Sequence, residues 1–399
     1  MLIDLADAQP ATSGGKAAVL ARLLRAGIPV PPGFVVPTTA YQHTAAAERW
    51  QHAADDHQRA AGDLPADLVD ALARALPSLG DGPVAVRSSA TSEDTAHATA
   101  AGQHDTFLGV RGPDQVVDAV RRCRASLWSE RAVQYRRHRH DTQPPSIAVL
   151  VQRLVDADVA GVMFTGDEIR LEASWGLGES VVGGHVTPDS WVVSGDTVTH
   201  RSLGTKRTRV DRTVTRDVEQ ADRDRFCLTD DQVTGLARLG RRIADLLDGP
   251  QDVEWAIAGS EIWILQARPV TSALPAATTA SGDEATASGD QGSALTGTPG
   301  SPGCATGPAR VVRGPADFGR VRPGDVLVCR TTDPAWTPLF GVAAAVVTET
   351  GGLLSHAAIV AREQGLPAVL AVPDAMTALR DGVPVRVDGS TGRVAPLGS

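Results

Sequence analysis

In ETGGLLSHAAIVAREQGLPAVL, Glu349 to Leu370, one imidazole, His356, stands among small and apolar residues. A helix starting near Ser355 and closing at Gly365, with Pro367 beyond as a stop signal, puts His356 in its first turn. The helix dipole disfavours an imidazolium there and favours an anion. A neutral imidazole is a nucleophile, and attack on a phosphoryl group would turn it into an anion held at that same end. Gly351, Gly352, Ala357 and Ala358 leave room for close approach. Other readings stay open. A lone histidine is more often structural or merely exposed, and no second histidine lies at metal-binding spacing. Ser355 and His356 point about 100° apart on a helix, so they make no nucleophile–base pair there.

The basic residues are almost all arginine, and the two lysines are Lys16 and Lys206. Lysine is a compact point charge on a flexible stem, suited to phosphate contact. Lys16 follows a glycine pair in SGGKAAVLARLL, at the head of a helix where free N–H groups favour phosphate. The GxxxxGK[ST] spacing is absent, and a glycine turn before a surface helix gives the same pattern. Arg87 closes the apolar run of VAVRSSATSED beside several hydroxyls, where it either clamps phosphate or is a solvated loop arginine. In QDVEWAIAGSEIWILQARPVT, Glu254, Gln266 and Arg268 fall on two adjacent strands. A carboxylate and a carboxamide oxygen facing one point suit Mg²⁺, and an arginine beside them suits nucleotide phosphates. By chemistry alone an ordinary polar sheet face is the favoured reading there.

These residues need elements to hold them. Helical spacing predicts a helix in GGKAAVLARLLRAG, stopping at Gly27, and another in DQVTGLARLGRRIADLLDG, ending at Gly249. GPVAVRSS and SIAVLVQRLV read as buried strands, with AGQHDTFLGV as a further strand beside them. QDVEWAIAG and EIWILQARPV read as two strands joined by a tight turn. Further on, strands (DVLVCR, AAAVVTE, PAVLAV, PVRVDG) alternate with the helix that carries His356. Both parts read as α/β or α+β. Ser272 to Gly297 is Ala, Ser, Thr, Gly and Asp with almost nothing to bury, which predicts a linker spanning about 28 Å as a coil and about 90 Å stretched. The expected parts are residues 1–271, the linker 272–297 and residues 298–399.

The composition, 42% hydrophobic and 21% charged, is that of a globular protein, and the net charge of -9 does not suggest a nucleic-acid partner. No apolar run is long enough to span a membrane and the N-terminus has no leader pattern, so a cytoplasmic protein is expected. Cys123, Cys227, Cys304 and Cys329 form no CxxC pair, which points to neither zinc nor a disulfide framework.

Taken in order, the motifs resemble the phosphoenolpyruvate synthase, pyruvate phosphate dikinase and rifampin phosphotransferase family. SGGKAAVLARLLRAGIPVPPGFVV, VAVRSSATSEDTAHATAAGQHDTFLGV, EASWGLGESVVGGHVTPD and QDVEWAIAGSEIWILQARPVT resemble its two-lobed ATP-grasp nucleotide domain. SPGCATGPARVV, TTDPAWTPLF and TETGGLLSHAAIVAREQGLPAVL resemble its small swivelling β/α phosphohistidine domain. The resemblance implies that His356 carries the phosphoryl group. Lys16, Arg87, Glu179 and Arg268 would serve ATP, and Glu254 and Gln266 would hold Mg²⁺. Lys206 matches a family position without an assigned role. ATP would bind between the lobes. His356 would take the β-phosphoryl group and release AMP, the γ-phosphate would go to water or inorganic phosphate, and the linker would supply the reach.

Relatives normally carry a third domain that binds the acceptor, and no such domain is read in this sequence. Three expectations compete. The first is a compact phosphotransferase acting on a small-molecule acceptor. The second is a donor subunit whose acceptor domain is a separate protein, and the third is a non-catalytic nucleotide-binding relative.

Overall fold

The computed structural model describes residues 1–41, 63–91, 105–129, 146–212, 214–271, 274 and 294–397. Strands β1 (Ile3–Asp4), β2 (Gly33–Val36), β3 (Val84–Ala90), β4 (Thr106–Val110), β5 (Ile147–Arg153) and β6 (Val159–Phe164) come first. Helices α1 (Pro10–Arg25), α2 (Ala66–Ala75) and α3 (Gly112–Ser126) are interleaved with them. Then come β7 (Glu168–Trp175), β8 (Asp189–Ser194), β9 (Thr197–Ser202) and a short ribbon of β10 (Thr208–Asp211) and β11 (Val214–Asp217). Helix α4 (Asp230–Leu246) leads into the hairpin β12 (Gln251–Ala258) and β13 (Glu261–Pro269). The remaining strands are β14 (Leu295–Thr296), β15 (Thr298–Ser301), β16 (Cys304–Val311), β17 (Val326–Cys329), β18 (Ala345–Thr348), β19 (Ala368–Leu370), β20 (Pro384–Asp388) and β21 (Arg393–Pro396). Helix α5 (His356–Glu363) stands between β18 and β19.

The chain packs as two compact units. The first comprises residues 1–169, 210–215 and 234–270; the second comprises 170–209, 216–233 and 271–399. Residues 170–209 and 216–233 thus pack with the C-terminal part. Of the expected linker, residues 272–273 and 275–293 lie outside the described residues. Its end is sheet: Leu295 and Thr296 pair with Val394 and Arg393, and Leu295 packs against the core of the second unit.

In the first unit, five antiparallel strands run in the order β1-β2-β5-β3-β4. Leu68 and Leu72 of α2, with Val116, Val120 and Cys123 of α3, close over Phe34, Val86, Val149 and Val151. Helix α1 packs on β3, β5 and β13. Strand β3 is therefore buried along its whole length. That explains why VAV shows no alternation of apolar and polar residues, and why Arg87, Ser88 and Ser89 are themselves covered. β12 pairs antiparallel with both β13 and β6.

In the second unit, eight strands run in the order β14-β21-β20-β16-β17-β18-β19-β15. The central run from β16 to β19 is parallel. α5 is the crossover from β18 to β19, so its residues must cover the sheet. Val360 and Ala361 do so against Leu327, Val346, Trp336 and Phe340, while Ala357 and Ala358 meet Leu370. Among the described residues no helix is long and apolar enough to cross a membrane.

Candidate active site

Lys16, Arg87, Glu254, Gln266 and Arg268 all belong to the first unit. Gly14 breaks the regular helix at φ +75°, and a Cβ there would lie 2.1 Å from the Ser89 carbonyl oxygen. Glycine is what allows α1 to lie so close against β3. That approach delivers Lys16, buried, with Nζ donating to the Ser88 carbonyl at 3.1 Å. The Ala17 N–H donates to Ser89 Oγ at 3.2 Å and pins the same turn.

Next to Ser88, Arg87 reaches across to the hairpin. Its Nη1 donates to the Leu265 carbonyl at 2.6 Å and its Nη2 to Gln266 Oε1 at 2.9 Å. Glu254 Oε2 stands 3.8 Å from Nη2. Glu254 and Gln266 are direct cross-strand partners, and the register shifts immediately after Glu254. A bulge at that point re-aims the strand beside the cluster. A nearly buried guanidinium is thus flanked by one carboxylate and one carboxamide oxygen, both hard donors. This donor set fits a Mg²⁺ ion that keeps most of its ligands as water and nucleotide phosphate.

Arg268 goes elsewhere. Its Nε and Nη2 donate to Asp252 Oδ2 at 2.8 and 2.7 Å, a buried ion pair along the same hairpin. Asp252 was not singled out from sequence; it stands opposite Arg268 beyond the bulge. Glu179 belongs to the second unit, where it opens a four-residue helical turn and is exposed.

Lys206 is also in the second unit and is fully buried. Its Nζ donates to Asp189 Oδ1, to the Gly204 carbonyl at 3.0 Å and to the Arg223 carbonyl at 3.2 Å. Asp189 in turn accepts from the N–H groups of Gly204 and Cys227, each at 2.8 Å. All three lysine donors are used inside the protein, so Lys206 ties together the segments around β8 and its chemistry is structural. Burial, with Asp189 beside it, pushes the Cys227 thiol well up.

His356 is the first residue of α5, with Ser355 as N-cap. The helix ends at Glu363 and Gly365 follows at φ +63°, as the spacing implied. His356 is 7% exposed, so it is buried rather than open on the surface. Its Nδ1 lies 3.3 Å from Thr332 Oγ1, in the TTDPAW loop after β17. Glu172 of β7 sends both carboxylate oxygens to the loop before the histidine, accepting from Leu353 N–H at 2.6 Å and Leu354 N–H at 3.0 Å. Burial pushes this carboxyl up to about 7, and the two N–H groups and Arg362 act the other way. Neither Thr332 nor Glu172 was singled out from sequence. The signal for Glu172 was a charge inside an apolar strand, IRLEASW, whose other residues are buried on both faces from Leu171 to Trp175.

Known proteins bear on this arrangement in two ways. Residues 11–288 match the family model described as pyruvate phosphate dikinase, AMP/ATP-binding domain, and residues 321–392 match that of PEP-utilising enzyme, mobile domain. Over 96% of its length the chain is 38% identical to a probable phosphoenolpyruvate synthase of Methanothermobacter thermautotrophicus, covering 61% of that protein. It is 33% identical to the phosphoenolpyruvate synthase of Pyrococcus furiosus, again over 96% of the chain, and covers 56% of it. Against the phosphoenolpyruvate synthase of Pseudomonas aeruginosa it is 36% identical over 95% of the chain, covering 55%. The chain thus spans between 55% and 61% of the length of these relatives. With an ATP-grasp-type nucleotide domain and a PEP-utilising mobile domain in order, the chain belongs to the phosphoenolpyruvate synthase and pyruvate phosphate dikinase family.

Proposed function

We propose that this protein is a dikinase-type phosphotransferase. It takes a phosphoryl group from ATP onto His356, releases AMP and phosphate, and passes the group to a small-molecule acceptor. The observation that carries the reading is the setting of His356: first turn of a helix, small neighbours, and Nδ1 against Thr332.

In this reading the neutral imidazole carries its proton on Nδ1 and donates it to Thr332 Oγ1. The lone pair of Nε2 then attacks the β-phosphorus of ATP. An N–P bond forms, the bond from the β-phosphorus to the oxygen it shares with the α-phosphorus breaks, and AMP leaves with that oxygen and the electron pair. Loss of the γ-phosphate to water or inorganic phosphate leaves one phosphoryl group on His356. The helix N-terminus favours the anion so formed. Lys16 and Arg87 bind the phosphates of ATP; both are held by the carbonyls and the carboxamide that orient them, so little reorganisation is needed. Glu254 and Gln266 would hold Mg²⁺, which would neutralise phosphate charge there. Arg268, anchored by Asp252, adds positive charge along the hairpin. Glu179 is assigned to the nucleotide side by its motif alone. Residues 1–271 serve as the nucleotide-binding part, 272–297 as the linker and 298–399 as the carrier; the family matches over 11–288 and 321–392 support the first and the last.

The test uses ATP labelled separately at the β and γ positions, with Mg²⁺, on wild type and His356→Ala. The expected result is AMP formation and acid-labile β-label on wild type, with no labelled protein for the variant. ADP as product, or label independent of His356, overturns the reading.

A further inference from the structure

The segment from Glu172 to Val186 touches the loops around His356 at five points, all within the second unit. Two of them are the Glu172 contacts to Leu353 and Leu354, the peptide groups that run into Ser355 and His356. Thr331 Oγ1 donates to the Gly183 carbonyl at 2.7 Å, and Thr350 Oγ1 to the Gly184 carbonyl at 2.7 Å. Gly351 N–H donates to the Val186 carbonyl at 3.1 Å. Thr331 precedes Thr332, the partner of the imidazole, so one segment fixes both sides of the histidine.

Within this set Glu172 is the charged member. Its side chain is buried, and Leu171 and Ala173 beside it are fully so. A Cβ added to Gly352 would stand 2.2 Å from its Oε2, so the loop reaches the carboxylate only with glycine there. The charge acting on it from α5 is Arg362, whose Nη1 donates to the carbonyls of Leu353 and Gly300, each at 2.9 Å.

We infer that Glu172 is a positioning residue for His356: its carboxyl group is a reversible clasp on the Leu353–Leu354 peptide groups, closed when uncharged and loosened when ionised. The inference rests on the proposed carrier role of His356. Two N–H donors and one arginine oppose the cost of burying the charge without cancelling it, since the carboxyl is raised to about 7 rather than lowered. A buried group whose pKa is raised favours the closed, buried form at low pH. That preference is complete below the ordinary carboxyl value of 4.5 and is lost as pH rises through about 7. The clasp therefore responds to protons near neutrality, next to a residue whose own charge would change on every turnover.

Amide hydrogen exchange of the full chain without nucleotide tests this, from about pH 5.5 to about pH 8.5, corrected for intrinsic rates. Protection of Leu353 and Leu354 in wild type should fall by about tenfold between about pH 6 and pH 8. In Glu172→Gln, which resembles the uncharged acid, it should stay flat. Loading of His356 from β-labelled ATP should show an inflection near pH 7 in wild type that the variant lacks, with the KM for ATP unchanged. Flat protection in wild type overturns the inference, as does the same pH dependence in both proteins. Should Glu172→Gln fail to fold, Gly352→Ala serves instead, with Leu353 and Leu354 expected to be unprotected at every pH. An intact exchange profile with no labelling of His356 overturns the phosphotransferase reading alone, because exchange reads the clasp without ATP.

Discussion

The two lysines show how alike residues part company in a fold. Each stands out in a sequence that otherwise uses arginine, and each is buried in the structure. Lys16 lies beside Arg87 on the strand that reaches the Glu254–Gln266 pair, whereas Lys206 spends its donors on Asp189 and two carbonyls. Removing one partner of a buried pair leaves an uncompensated charge. Lys206→Met should therefore destabilise the protein by about 3–5 kcal/mol, read as a lower urea midpoint. An unchanged midpoint would contradict a structural role. The sequence marked Lys206 as unusual, but its partner Asp189 lies across a turn and a strand in a different motif. No spacing rule links the two.

At the scale of elements, the strands and helices around the candidate site follow from local pattern, and their close approaches depend on glycine. Gly14 and Gly27 flank most of α1 and have nearly the same positive φ, 75° and 72°. They differ in their surroundings. A Cβ at Gly27 would meet nothing within 4 Å, while one at Gly14 would strike the Ser89 backbone. Gly27→Ala should cost only the left-handed strain, about 1–2 kcal/mol. Gly14→Ala should cost clearly more, with thermal melts of both variants as the measurement. Equal losses would mean that the contact between α1 and β3 is not tight. Gly14→Ala should also displace Lys16, which the same turn aims at Ser88. The bulge that moves Glu254 from opposite Leu265 to opposite Gln266 is not set by the turn, whereas the two strands β12 and β13 and the tight turn between them were legible. The pairing of β14 with β21 was not. Leu295 and Thr296 are two residues at the end of a stretch poor in apolar side chains, and the strand that receives them lies near the other end of the same part.

For the molecule as a whole, the raised carboxyl of Glu172 makes stability depend on pH. Its folded value of about 7 exceeds the ordinary 4.5, so its contribution is fully present below pH 4.5 and declines as pH rises to about 7. The shift corresponds to on the order of 3 kcal/mol. Other groups titrate over the same range, so the comparison is with Glu172→Gln. Between about pH 5 and pH 8 wild type should lose more unfolding free energy than the variant, by an amount of that order. Parallel pH profiles would show that the carboxyl is not perturbed. The same buried acid joins the family's nucleotide segment to the histidine loop of its mobile segment, so global stability and the site share one titrating group.

By itself the sequence determined the class of the fold, the family, a helix with His356 in its first turn, and the two hairpin strands that carry Glu254 and Gln266. These rest on period, turn chemistry and motif order, which act over a few residues at a time. Only the tertiary structure decided what faces those residues. Arg268 turned to Asp252, Lys206 to Asp189, Thr332 to the imidazole, and Glu172 to a loop 181 residues further along the chain. The reason is physical. A strand covered on both faces, as β3 and β7 are, loses the alternation that tells inside from outside. What a buried polar side chain meets is then set by which distant segment closes over it.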